Sequence, residues 1–98
     1  MRLTAEQIET IRQTVAGILG QDARVILFGS RLNDNARGGD VDLLVECDEL
    51  PDLMQRSRIK LALESSLSLP VDVEAIKRGG VPTAFQRIAL ATGIPLWG

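Results

Sequence analysis

The stretch Arg24-Val25-Ile26-Leu27-Phe28-Gly29-Ser30-Arg31, followed after a short polar run by Asp40-Val41-Asp42-Leu43-Leu44-Val45, decides how this chain is read. The apolar run Val25–Phe28 has the pattern of a buried strand, and it breaks off at Gly29-Ser30. Residues 31–39, Arg-Leu-Asn-Asp-Asn-Ala-Arg-Gly-Gly, are rich in turn formers and too short for a crossover helix. The second apolar run, roughly Asp40–Glu46, is therefore an antiparallel or mixed-sheet neighbour of the first.

Working outward, Thr4-Ala5-Glu6-Gln7 has the form of a helix capping box with Thr4 as N-cap. Ile8, Ile11, Val15, Ile18 and Leu19 recur behind it at helical spacing, and Gly20 marks the stop. Downstream, Pro51 suits the first turn of a second helix. Its predicted apolar face is Leu53, Met54, Ile59, Ala62, Leu63 and Leu67, and Arg56, Arg58 and Lys60 mark the wet side as solvating charge. Pro70 breaks this helix, and Val71-Asp72-Val73-Glu74-Ala75-Ile76 reads as a third strand. Gly79-Gly80 is a loop, and Pro82 starts a last helix carrying Phe85, Ile88, Ala89 and Leu90 that ends near Gly93. The predicted order is α-β-β-α-β-α: a single α/β (α+β) domain over residues 1–98, a small mixed β-sheet of about three to four strands covered by helices.

Composition narrows the chemistry. With 45% apolar residues the chain is not a disordered one, and with three aromatics its core is mostly Leu, Ile and Val. A net charge of −2 argues against a dedicated DNA-coating role, which rests on many Lys/Arg–phosphate contacts. No apolar run approaches a membrane span, and Met1-Arg2-Leu3-Thr4-Ala5-Glu6 has no apolar signal core, so a cytoplasmic protein is expected. One cysteine, Cys47, allows neither an internal disulfide nor a thiolate metal site, and an inert thiol is expected. Histidine is absent, which removes imidazole as base or zinc ligand. Acid–base and metal work falls to carboxylates, the ligands that suit Mg²⁺ or Mn²⁺.

Three carboxylates stand out. Asp40 and Asp42, two apart on a strand, share a face with Cα atoms about 6.5–7 Å apart. They can converge on one cation or bridge two cations about 3.5–4 Å apart, whereas an isolated D-x-D is usually just solvated. Val41, Leu43 and Val45 point the other way, into the core. Asp72, flanked by Val71 and Val73, is the preferred third carboxylate, with Glu74 on the same face as its competitor. Gly29 permits a close backbone approach, and Ser30 offers a hydroxyl and an N–H to an anion. Arg31 either contacts phosphate oxygens or pairs with a loop aspartate such as Asp34. No G-x-x-x-x-G-K-[ST] occurs, so this is not a P-loop. Lys77-Arg78 reads as a solvated strand exit, with a triphosphate or polynucleotide contact as the livelier alternative. Trp97 is expected to pack against the body, with an exposed terminal apolar patch for a partner as the alternative.

A strand ending in Gly29-Ser30-Arg31, a short loop, Asp40-Val41-Asp42 and a later Val71-Asp72-Val73 resembles the minimal nucleotidyltransferases of the DNA polymerase β-like superfamily. The resemblance covers essentially the whole chain. Ser30 and Asp40 are separated by nine residues, one fewer than is usual in that family, and the difference falls in the connector. By this resemblance Gly29, Ser30 and Arg31 would bind the nucleotide, and Asp40, Asp42 and Asp72 would hold two Mg²⁺ ions. Asp72 would also help activate an acceptor hydroxyl that attacks the α-phosphate of ATP. The resemblance further implies an antitoxin paired with a HEPN-domain ribonuclease toxin, silenced by AMP transfer to a toxin tyrosine. The absence of tyrosine here fits an acceptor on another chain. The alternative is a non-catalytic nucleotide-binding antitoxin or regulatory subunit acting by complex formation, in a homo- or hetero-oligomer. The presence of all three carboxylates favours catalysis. A D-x-D sugar transferase fails on length.

Overall fold

The computed structural model describes residues 3–29 and 41–97. Its elements are α1 (Ala5–Leu19), β1 (Arg24–Phe28), β2 (Val41–Cys47), α2 (Leu53–Leu67), β3 (Val71–Lys77), α3 (Ala84–Thr92) and β4 (Ile94–Pro95). The predicted order holds, with the two-residue β4 added after the last helix. The sheet runs β3-β2-β1-β4. β1 and β2 are antiparallel, one of the two arrangements expected from so short a connecting sequence, and β2 and β3 are parallel, with α2 as the crossover. β4 lies antiparallel on the free side of β1, pairing Ile26 with Pro95 and Leu27 with Ile94.

Each helix opens with the reciprocal pair of a capping box: Thr4 with Gln7, Asp52 with Gln55, Thr83 with Gln86. Pro51 and Pro82 therefore stand just before an N-cap and not inside a first turn. The D-x-x-Q and T-x-x-Q spacings were the better signal. α1 ends at Gly20, whose φ of 97° suits a residue without a Cβ.

The main core lies between one face of the sheet and the α1/α2 pair. Ile11 and Val15 of α1 and Ile59 and Leu63 of α2 meet Val25, Val41, Leu43, Val45 and Val71, all essentially inaccessible to solvent. Trp97 packs against this cluster, as expected. Leu53 and Met54 do not: both are exposed, and the buried stripe of α2 passes through Ile59 and Leu63. The opposite face carries a smaller cluster of Phe28, Leu44, Ile76 and Ala89 under α3. Gly93 permits the close packing there, since a Cβ would run into Ile26 Cγ2 and the Ala89 carbonyl. No helix among the described residues is long and apolar enough to cross a membrane.

Candidate active site

Alternation along β2 sends Val41, Leu43 and Val45 to the main core and leaves Asp42 on the α3 face, half-exposed. Register does the rest. Asp42 pairs with Phe28 on β1 and with Asp72 on β3, so Phe28, Asp42 and Asp72 form one row across three strands. Adjacent strands lie about 4.8 Å apart, which brings the two carboxylates within reach of a single cation. Glu74 pairs with Leu44, one step further along on the same face. A hollow of about 340 Å³ opens over the row, lined by Phe28, Asp42, Lys60, Asp72, Glu74 and Phe85 among others. Ser30, Arg31, the connector and Asp40 lie outside the described residues. Among the described residues no three His, Cys, Asp or Glu side chains form a group able to hold a metal, and the carboxylates in the row are the pair Asp42 and Asp72.

Gly29 borders this row directly. Its φ is +83°, and a Cβ built there would collide with Asp42 Oδ2. Both the backbone conformation and the space exclude a side chain, and the main chain thereby approaches the carboxylate closely.

Lys60 is not the plain solvating charge that the sequence pattern suggests. Of the three basic residues of α2, Arg58 alone is exposed. Lys60 Nζ donates to the Val71 carbonyl at 2.5 Å, lies 3.3 Å from Glu64 Oε2, and stands 3.6 Å from Asp72 Oδ1. Glu64 in turn accepts the Val71 N–H at 3.0 Å. An i,i+4 pair on α2 thus grips the outer edge of β3 and places an ammonium beside Asp72. The Lys-x-x-x-Glu spacing was visible in the sequence, but its target was not.

The Val71 N–H, and after it Lys60, hold the Glu64 carboxyl below its ordinary value of 4.5. A depressed folded value means that the contribution is fully present above about pH 4.5 and is lost as pH falls through the folded value. Glu64→Gln is therefore expected to flatten the acid limb of stability. Urea midpoints measured from about pH 6 down to pH 3 should converge for the two proteins as pH falls. Parallel curves would contradict this linkage.

Lys77 and Arg78 sit at the far end of β3, away from the row. Arg78 is clamped by Asp48 (Nη1–Oδ1 2.5 Å) and the Asp22 carbonyl (2.6 Å), with Glu46 3.7 Å from Nε. It fastens the ends of β2 and β3 and is neither a free strand exit nor a phosphate ligand at this site. Cys47 is buried nearby, and burial pushes its thiol up despite Arg78, in keeping with an inert thiol.

Two aromatic residues complete the surroundings. Phe28 ends β1, and Phe85 of α3 meets it edge-on, with ring centroids 5.5 Å apart at 75°. Neither was singled out from the sequence for the site. Their signal was scarcity, in a chain with two phenylalanines.

The family model described as polymerase beta, nucleotidyltransferase matches residues 7–98. Among solved structures, one described as a minimal nucleotidyltransferase is 30% identical, with 95% of this chain and 96% of that one covered and a TM-score of 0.62. A mutant of the toxin–antitoxin pair MntA–HpeT superposes with a TM-score of 0.76 at 21% identity, over 93% of this chain and 72% of that one. A complex from Shewanella oneidensis, a tri-AMPylated HEPN toxin with its MNT antitoxin, gives 0.66 at 21% identity with the same coverage. Comparison with curated proteins gave no match. With the family model spanning nearly all of the sequence, and a mixed sheet that sets Gly29, Asp42 and Asp72 together, this chain belongs to the polymerase β-type nucleotidyltransferase family.

Proposed function

We propose that this nucleotidyltransferase moves AMP from ATP to a hydroxyl of a partner protein, and that the partner is a HEPN-domain ribonuclease toxin silenced by the transfer. The observation that carries the reading is the pairing of Asp42 with Asp72 across β2 and β3, with the Gly29 backbone against Asp42. Solved relatives support the choice of substrate and partner: a tri-AMPylated HEPN toxin bound to its MNT antitoxin, and a toxin–antitoxin structure with AMP-PNP.

The donor set suits magnesium: Asp42 and Asp72 present hard carboxylate oxygens, and the chain has no histidine. Asp40, Asp42 and Asp72 would hold two Mg²⁺ ions, which when bound neutralise the triphosphate charge and polarise the α-phosphate. The protein's own share is positioning. The Gly29–Ser30 backbone and the Ser30 hydroxyl hold the phosphate tail, and Arg31 lends a planar fork to its oxygens. The acceptor hydroxyl attacks the α-phosphorus, its proton passes to Asp72, and the bond to the leaving pyrophosphate breaks. Lys60, 3.6 Å from Asp72 Oδ1, helps hold that carboxylate in place for the proton.

The test is an incubation with ATP labelled at the α- or the γ-phosphate, Mg²⁺ and a HEPN partner. Label on the partner from the α-position, with pyrophosphate released, is expected. Label from the γ-position would replace nucleotidyl by phosphoryl transfer, and neutralisation of the toxin without label would leave complex formation as the mode of action.

A further inference from the structure

A second hollow, about 460 Å³, adjoins the carboxylate row on its α3 side. Its walls are Phe28 from β1 and Phe85, Ile88, Ala89 and Thr92 from α3, and its floor reaches Gly29 and Asp42. The two hollows share Phe28, Asp42 and Phe85, so they are neighbouring parts of one groove. Phe85, Ile88 and Thr92 recur at i, i+3 and i+7, the spacing of a single helix face. Phe85 and Ile88 are 54% and 63% exposed, an unusual use of large apolar side chains beside a charged row.

We propose that this hollow is the nucleobase subsite, holding the base by stacking and apolar contact and not reading its hydrogen-bonding edge. The inference rests on the nucleotide reading of the adjoining row, and continuity with that row is what selects the occupant. A nucleotide whose phosphates lie against Gly29 and Asp42 projects its uncharged, flat end along the groove, and the α3 wall is where the groove turns apolar. The volume falls in the range of small-molecule sites, about 300–1,000 Å³. Apart from Asp42 at its phosphate end, no charged side chain among the described residues lines the hollow. The one hydroxyl there, Thr92 Oγ1, donates to the Ile88 carbonyl at 2.7 Å, so its proton is already engaged. A wall of this kind distinguishes bases by stacking area. ATP and GTP should bind alike, and both should bind more tightly than CTP or UTP.

The experiment is calorimetric binding of ATP, GTP, CTP and inorganic tripolyphosphate, with Mg²⁺, to the full chain and to Phe85→Ala and Ile88→Ser. Both side chains are more than half exposed, and thermal melting checks that the variants are folded. The expected result is a loss of about tenfold in ATP affinity for Phe85→Ala, with tripolyphosphate unchanged and Phe85→Trp restoring ATP. Equal affinity of the unaltered protein for ATP and tripolyphosphate would overturn the subsite. So would an equal loss of both in the variants, or ATP binding indifferent to Phe85 and Ile88. If the variants instead raise the KM for the protein acceptor alone, the face is an acceptor-docking surface and the base lies elsewhere. Failure of the unaltered protein to bind any triphosphate would overturn the nucleotide reading itself, and the subsite with it.

Discussion

Asp42→Asn, alone or with Asp72→Asn, is expected to lower AMP transfer by at least about 100-fold while the protein stays folded. Asparagine keeps the size and most of the shape of the side chain and removes only the charge. What is lost is the ability to gather cations where negative charge accumulates during attack on the α-phosphorus, and each 1.36 kcal/mol of that stabilisation is about a factor of ten in rate. Folding should tolerate the change at Asp72, since its side chain is 66% exposed and its contact with Lys60 is an open ion pair worth about 1 kcal/mol at most. Initial rates of α-label transfer, with melting curves as the control for folding, make the measurement. Near-wild-type transfer by the double variant would refute the proposed mechanism. Glu74→Gln is the internal comparison. Glu74 lies beside Leu44 and not beside Asp42, so its neutralisation should cost far less. A reversed ranking would give Glu74 the role of third carboxylate.

The largest loss of stability is expected from Leu43→Ala. Leu43 is fully buried near the middle of β2, between the sheet and the α1/α2 pair. Truncation removes its transfer free energy and leaves a cavity that two helices and three strands cannot easily close, at a cost of about 2–5 kcal/mol. A domain of this size is stable by only about 5–15 kcal/mol. At about 4–8 °C per kcal/mol, a loss near 3 kcal/mol lowers Tm by roughly 12–24 °C. Differential scanning calorimetry reads this directly, and a shift of about 3 °C or less would place Leu43 outside the principal core.

Much of this architecture was legible because local signals agreed with one another. Val25–Phe28 and Leu43–Val45 have no polar residue that could face solvent, and the connecting sequence is too short for a crossover helix, which left an antiparallel or mixed-sheet neighbour, and the pair is antiparallel. The alternation Asp-Val-Asp-Leu already told which side chains of β2 would meet the core. Register was a different matter. Nothing local says that Asp72, and not Glu74, lies opposite Asp42, because parallel pairing depends on how far α2 carries the chain before it returns. For the same reason the grip of Lys60 and Glu64 on Val71 was hidden, since a helix-edge contact has no sequence period. β4 escaped notice because two residues containing a proline carry no strand pattern, and they pair only because Gly93 lets the chain turn back close to β1. At Leu53 and Met54 apolar character does not mean burial, and the periodicity of Ile59 and Leu63 is the sounder guide.

The Lys60–Glu64 clasp has a consequence for solubility and assembly. A sheet with open borders invites another strand to add to it, the usual route to edge-to-edge aggregation. Here the outward N–H and C=O of Val71 are already taken by α2. On the other border β4 offers only two residues, one of them Pro95, which has no N–H to give. Strand addition is therefore discouraged at the start of β3, beside Asp72, and along β4, so near the site a partner meets the helices and the groove that holds Asp42 and Asp72.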